Sequence, residues 1–336
     1  MDATLYLAAR DGDSGTLIDL ANGNLDILRS MAPQGNNILH ITASAAIEED
    51  KYIDFVRETM CRCPSLIDQA NDHGDTPLHC AARTGKVGIF NLLMGQVDCT
   101  SLRRINNMGN TVLIEAITNR RKEVVKKLLE IDHSINDSAQ LEEMKVLIRM
   151  TDNDSQNALH HAARQNDNES IARQLLDIEP LLAYVLNNDG DSPLHIAATF
   201  GSADTFELLV KKSPDAIEQL DQSGRNAFQI SAMSGWCDPI AWTWRSSPQL
   251  HSAIKEADKK YGNSLLHLAV IHHNIKLAAL LVRHEMVDLE MENKDGYTAL
   301  DLVELRQEDE IQVFGGGSPK LRISCFLIKA LKTCKA

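Results

Sequence analysis

The chain has 336 residues, of which 43% are hydrophobic and only 4% aromatic, and carries a formal charge of -13. That length exceeds what one hydrophobic core organises, a limit that a stack of units packing only on their neighbours escapes. The acidic balance disfavours a general nucleic-acid role, since neutralising phosphates takes a basic face.

Residues 2–31 read as a degenerate first unit, in which Thr4 to Gly12 mimic a repeat helix without a turn glycine before it. Such units cap a stack, because one of their faces meets water. The next unit starts near 33, at Pro33-Gln34-Gly35, with a longer second helix from Tyr52 to Cys61. The stretch from Asp72 to Gly85, DHGDTPLHCAARTG, is the fullest copy. Gly74 takes the positive φ of a tight turn, Thr76 caps a helix, and Pro77 follows where a missing N–H costs nothing. Leu78, Ala81 and Ala82 share one helical face, and Gly85 stops the helix.

The unit starting near 107 lacks the Pro and His but keeps Gly109 and Leu113. Its second helix, Lys122 to Glu130, has Arg120, Arg121, Lys122, Lys126 and Lys127 on one side, either a solvated face or a small anion-binding patch. Residues 131–150 are an insertion, and Leu141, Met144 and Leu147 at spacing three make part of it helical. It is a binding element or tolerated length. Further units start near 153, 188, 222, 260 and 294. The copy at 187–201 is nearly ideal, whereas the next has Phe228-Gln229 for Leu-His. All three tryptophans follow, Trp236, Trp242 and Trp244, either a bulkier local core or an exposed anchor. Pro239 and Pro248 bracket Trp242 and Trp244 and are expected to shorten that helix. The repeat domain extends to about 310, with a Gly-rich linker at 311–319 and a basic tail or capping helix at 320–336. The tail has Lys320, Arg322, Lys329, Lys332 and Lys335, no acid, and Ile323, Leu327 and Leu331 on one face. It closes the stack or meets a membrane or partner.

Aligned on the Leu of Pro-Leu-His, the copies lie at Leu39, Leu78, Leu113, Leu159, Leu194, Phe228, Leu266 and Leu300, with spacings of 39, 35, 46, 35, 34, 38 and 34. Units of Thr-Pro-Leu-His with a following Ala-Ala resemble ankyrin repeats. The resemblance implies an all-α solenoid of stacked helix–turn–helix units with β-turn fingers, about nine helical pairs, that binds proteins and is not an enzyme. The linkers at Cys63 to Asp68, Glu179 to Leu182 and Ser213 to Glu218, the run Tyr261 to Ala269 and the ending Asn293 to Leu302 narrow it. They are similar to those of the accelerated-cell-death class of plant ankyrin–transmembrane proteins over residues 2–305. That likeness implies plant defence or stress signalling. Members of the class continue into a membrane domain after a Pro-Gly-Gly motif, which Gly315 to Pro319 does not match. This chain is then expected to be a shortened or truncated relative.

His40, His79, His160, His195 and His267 share one repeat slot, where the resemblance implies an imidazole that ties neighbouring turns together. His161, His272 and His273 fall outside that slot and form no H-E-x-x-H site. No nucleophile elbow, P-loop or dinucleotide fingerprint occurs. The seven cysteines include no C-x-x-C pair, Cys61 and Cys63 are too close for half a zinc site, and Cys80 reads as core. Free thiols in a reducing compartment follow, with no cofactor or metal. Residues 1–20 contain acids and no signal-peptide core, and no run approaches the ~18 apolar residues of a membrane span. The expected location is cytoplasmic, or alternatively the cytosolic face of the plasma membrane with the basic tail as a peripheral contact.

Binding is the remaining activity. The resemblance puts turn tips and exposed first-helix residues on one concave side. The candidate partner-binding residues are Asp72, His73, Asp75, Met108, Asn110, Asp154, Gln156, Asp189, Asp191, Arg225 and Tyr261 at the tips, with Arg83, Phe200 and Met233 on the helices. The tip aspartates are either plain turn formers or an acidic groove that prefers a basic segment of a protein partner.

Overall fold

The computed structural model describes residues 1–45, 49–130 and 138–305. These fall into two compact units, Met1–Ala162 with Asp177–Glu179, and Ala163–Leu176 with the residues from Pro180 onward. Apart from two isolated β-bridges, the regular elements among the described residues are helices and turns.

The first compact unit contains the helix pairs Ala3–Asp11 with Ser14–Gly23, Ile38–Ala45 with Glu49–Arg62, Pro77–Thr84 with Val87–Met94, and Val112–Thr118 with Lys122–Leu129. The second contains Pro193–Phe200 with Ala203–Lys212, Ala227–Met233 with Asp238–Ser246, and Leu265–Ile271 with Ile275–Arg283, followed by helical residues 299–305. Helices Ala158–Ala163 and Glu169–Ile178 stand between these sets in the chain. The Leu slot of the motif is buried in every copy from Leu39 to Leu266. Each linker beginning Pro64, Pro180, Pro214 or Pro248 is one 3-10 turn that buries an aliphatic side chain: Leu66, Leu182, Ile217 or Leu250.

One expectation changes. Pro239 sits in the first turn of Asp238–Ser246, where no N–H is missed, so that helix keeps nine residues and is not shortened. The insertion contains helix Ser138–Arg149, which buries Leu147 and Ile148 and pairs Arg149 with Glu179. Residues 131–137, the linker at 311–319 and the tail at 320–336 lie outside the described residues.

The repeated histidine has one job in several copies. In His79, Nδ1 accepts the Thr76 backbone N–H at 3.2 Å, which leaves the proton on Nε2, and Nε2 donates to the Asn110 carbonyl of the next unit at 3.1 Å. His40 reaches the Asp75 carbonyl at 2.8 Å and His267 the Tyr297 carbonyl at 2.9 Å. At His195 the same nitrogen faces the Gln219 and Arg225 carbonyls without closing a bond. Gln229 does the same work in the copy that lacks histidine: Oε1 accepts the Asn226 N–H at 2.9 Å and Nε2 donates to the Glu256 carbonyl at 3.0 Å.

Burial holds His40, His79, His195 and His267 below the ordinary imidazole range, against an opposing pull from nearby carbonyls and carboxylates. The unfolded chain therefore takes up protons first, and stability present above the ordinary imidazole pKa is lost as the pH falls below it. The melting midpoint is expected to drop by about 5 °C between pH 7 and pH 5. Scanning fluorimetry on His79→Gln/His267→Gln checks the cause, because glutamine keeps both bonds and does not titrate. An unchanged pH slope in that variant would rule the imidazoles out.

Candidate functional site

Most loop tips are built by a residue not singled out from sequence, the Asn or Asp three positions before the turn glycine or, in one tip, before Ser155. The Asn71 side-chain oxygen accepts the backbone N–H groups of His73 at 2.9 Å and Asp75 at 3.0 Å. Asn106, Asp152, Asn187, Asp221 and Asn293 each do the same for the residues two and four further on. These are Asx turns. Ser155 replaces glycine in one tip and takes φ 59 there. Neighbouring tips are also stitched together. The N–H of Asn107 donates to the His73 carbonyl at 2.9 Å, that of Asn153 to Met108 at 3.1 Å and that of Lys294 to Tyr261 at 2.9 Å. Asn107, Asn153 and Gln222 add side-chain bonds to the preceding tip at 2.9, 2.9 and 2.7 Å. The tips form braced platforms, and what they show to solvent is set mainly by the residue just before the glycine.

Among the candidates, Asp72, His73, Met108, Asp154, Asp189, Phe200 and Tyr261 are exposed. Phe200 has the Arg164 guanidinium 5.0 Å above its ring. Asp75 and Gln156 are buried, so neither presents its side chain to a partner. The Asp75 carboxylate is held by Arg83 through bonds of 2.7 and 2.9 Å. Arg83 also donates to Glu115 at 3.0 Å, and Asn106 bridges Asp75 and Glu115 with bonds of 2.9 Å to each. Asn110 donates to Glu115 at 3.0 Å as well. Arg83, Asp75 and Asn110, read from sequence as recognition residues, thus form one internal network, because a cation in the last turn of its helix lies between two acidic side chains from adjacent units. Burial pushes both carboxyls up, but the bonds from Arg83, followed by Asn106 at Asp75 and Asn110 at Glu115, outweigh it and leave both below their usual range.

The second compact unit shows a different surface. Arg225, Met233 and Tyr261 line one cavity of about 480 Å³. Its floor is Met233, Leu268, Ile271 and Leu302, and Tyr261 and Tyr297 stand on its rim, 51% and 41% exposed. Arg225 is held by Asp221 at 2.7 Å and touches the Met233 sulfur at 3.3 Å. One unit earlier in sequence, Asp191 has its carboxyl pushed up to about 6, by burial first and then by the charges of Asp221 and Asp189. Tyr297, Ile271 and Leu302 were missed in the sequence. For Ile271 and Leu302 the signal was the position five, or two, residues past the Leu slot, where Met233 and Leu268 also fall; Tyr297 directly follows the turn glycine Gly296, as Arg225 follows Gly224.

The tryptophans are not core. Trp242 and Trp244 are half-buried, Lys211 lies 5.0 Å over the Trp242 ring, and Trp244 stacks on His251 at 3.9 Å. Trp236 lies against the backbone of Gly201, which has φ 68, and donates to the Thr199 carbonyl at 3.3 Å. A Cβ at Gly201 would overlap the indole, whereas the surroundings of Gly235, at φ 89, are open. Gly201→Ala is expected to lose clearly more stability than Gly235→Ala, for which backbone strain alone is about 1–2 kcal/mol. In a Trp236→Ala background the Gly201→Ala loss should fall to the Gly235→Ala value. Urea unfolding of the four variants tests this; equal losses in both backgrounds would show that the indole is not the obstacle.

Among the described residues no cluster of His, Cys, Asp or Glu is arranged to hold a metal ion, and no helix is long and apolar enough to cross a membrane. Short helix pairs, a repeated histidine tie and braced tips define an all-helical repeat solenoid of the kind that carries protein-binding surfaces. The ankyrin-repeat family model matches residues 39–139, 138–219 and 159–241, and the chain belongs to that family, generally a non-enzymatic interaction fold. It is 20% identical to Protein ACCELERATED CELL DEATH 6 of Arabidopsis thaliana over 90% of this chain and 56% of that protein. It is 27% identical to the nuclear factor NF-kappa-B p105 subunit of Gallus gallus over 66% of this chain and 21% of that protein. It is also 30% identical to the ankyrin repeat-containing protein BDA1 of Arabidopsis thaliana over 26% of this chain. The chain therefore spans only part of the length of these relatives.

Proposed function

We propose that the chain is a non-catalytic scaffold that binds a segment of a protein partner across its loop tips and first helices, in plant defence or stress signalling. The observation that carries this reading is the contrast between the tips' backbones and their side chains. The backbones are fixed by Asx turns and inter-tip bonds, while Asp72, His73, Met108, Asp154, Asp189 and Tyr261 project outward. A rigid frame with exposed, varied side chains keeps down the ordering entropy that binding would otherwise require. The likeness to Protein ACCELERATED CELL DEATH 6 supports the defence setting.

The test is affinity capture from plant extract with the full chain and with an Asp189→Lys/Asp191→Lys/Tyr261→Ala variant. Asp75 is left intact, since reversing its charge would break the internal network and unfold what it was meant to probe. Partners lost in the variant support the reading. The same partners in both would move binding away from this face. A second reading, membrane association through the C-terminal end, rests on the acid-free basic sequence at 320–336. Pelleting with anionic vesicles that vanishes on changing Lys320, Arg322 and Lys329 to Glu supports it, and a chain that stays in the supernatant refutes it.

A further inference from the structure

We propose that the face running from Asp189 to Leu302 reads an extended segment carrying one basic residue and, three to six residues away, one large apolar side chain. This rests on the scaffold reading and specifies its ligand.

Two neighbouring features make the two subsites. The first is acidic. Asp189 is exposed, Asp191 is half-buried, and Asp221 lies behind them with its carboxylate on Arg225. Asp191 feels the charges of Asp221 and Asp189 as well as that of Arg225. Burial first, and then the charges of Asp221 and Asp189, push the Asp191 carboxyl up to about 6. An added Lys or Arg would relieve that repulsion, and a residue here gains from the ligand's charge what it now loses to its neighbours.

The second feature is the cavity of about 480 Å³. Leaving Met233, Ile271 and Leu302 half-buried beside two exposed tyrosines forgoes burial that a filled site would gain. Covering a Leu or Phe side chain is worth about 1.5–3 kcal/mol, and tyrosine rims add rigid contact area at low entropy cost. Arg225 joins the features, because its guanidinium touches both Asp221 and the Met233 sulfur.

The spacing follows from the repeat. Adjacent units pack at about 8–10 Å, and extended chain advances about 3.3 Å per residue. The acidic cluster and the centre of the cavity are one to two units apart in sequence, hence three to six ligand residues. An isolated basic residue or an isolated apolar one would meet only half of this surface.

The probes are fluorescein-labelled twelve-residue Gly/Ser/Ala peptides with one Arg and one Phe. Separations run from one to eight in both orders, and binding to the full chain is read by anisotropy. Binding should peak at a separation of three to six in one order. Replacing Phe by Gly or Arg by Gln in the best probe should weaken it about tenfold. Tyr261→Ser should erase the preference for Phe while keeping that for Arg, and Asp189→Asn/Asp191→Asn should do the reverse. All these substitutions are at tip positions, and melting curves confirm that the variants fold. Binding that ignores separation, or that neither variant changes, would falsify the proposal. If probes bind only when Lys320, Arg322 and Lys329 of the full chain are changed to Glu, the chain's own tail is the occupant and the proposal is also wrong. If no probe binds but plant proteins are captured equally by wild type and Tyr261→Ser, this inference fails and the scaffold reading stands. If nothing is captured at all, both fail.

Discussion

Replacing Arg83 by Met should lower the stability of the chain by about 3 kcal/mol at pH 7. The guanidinium holds two carboxylates whose side chains are 3% and 6% exposed, those of Asp75 and Glu115. Taking it away leaves two like charges facing each other inside the stack, with Asn106 still bonded to both. Removing one partner of a buried pair typically loses about 3–5 kcal/mol, because the surviving charge keeps its desolvation penalty. Arg83 is itself 37% exposed, so water screens part of the interaction, and the lower end of that range applies. The pH dependence gives a second readout. Both carboxyls sit below their usual range in the folded chain, so their contribution is present above that range and disappears as the pH falls through the folded values. In Arg83→Met that contribution is already gone, and the two carboxyls hold their protons more tightly. The gap between wild type and variant should therefore be widest at neutral pH and narrow toward pH 4. Adding Asp75→Asn and Glu115→Gln to the variant should recover much of the loss. Denaturant unfolding at pH 7 and pH 4 measures all three. A loss below about 0.5 kcal/mol at pH 7 would mark the network as an ordinary surface pair.

The fold was legible because its determinants are local and repeated. A turn glycine, a cap, a Leu that must be buried and a histidine three residues past the cap recur together, and one decayed copy does not hide the others. The candidate recognition residues were less legible because their surroundings come from the next unit. Arg83 reads as an exposed helix-end cation until Glu115, 32 residues later, is placed beside it. Asp75 reads as a turn aspartate until Asn106 reaches it from the following tip. The tryptophans carried the opposite ambiguity. Bulk suggested core, but Trp236 is the lid on a glycine and Trp244 is stacked on a histidine, both on the outside. Arg225, Met233 and Tyr261 were placed on one face by repeat register alone, and they do line one cavity. Tyr297 and Leu302, its far wall, belong to the last unit, where Asp301 stands in the histidine slot and the motif looked weakest.

Phe228→Ala should lose about 3–5 kcal/mol, as much as any single core truncation here. In the sequence Phe228 looks like decay, a departure from the Leu that fills this slot in the other copies. In the structure it is fully buried, and its ring lies 5.8 Å from that of Phe206, tilted by 49°, in the second helix of the preceding unit. Phe206 is also fully buried. An aromatic pair of this geometry adds about 0.5–1.5 kcal/mol to the burial of each ring. The larger residue at one slot is therefore matched by a large residue at the facing position, and Gln229 beside it keeps both bonds of the missing histidine. Changing Phe228 back to the common Leu should then destabilise the chain, by about 1 kcal/mol, because the space was shaped for a ring. Phe206→Ala should resemble Phe228→Ala, and the double variant should lose less than the two single losses together, since the second truncation enlarges a cavity already open. Units in such a stack depend on their neighbours for a core, so the damage should be local. Hydrogen exchange should quicken in Pro193–Phe200, Ala203–Lys212, Ala227–Met233 and Asp238–Ser246, while the helices up to Lys122–Leu129 keep their protection. Additive losses, or a Phe228→Leu chain as stable as wild type, would show that the two rings do not form one packing unit and that the departure from Leu is drift.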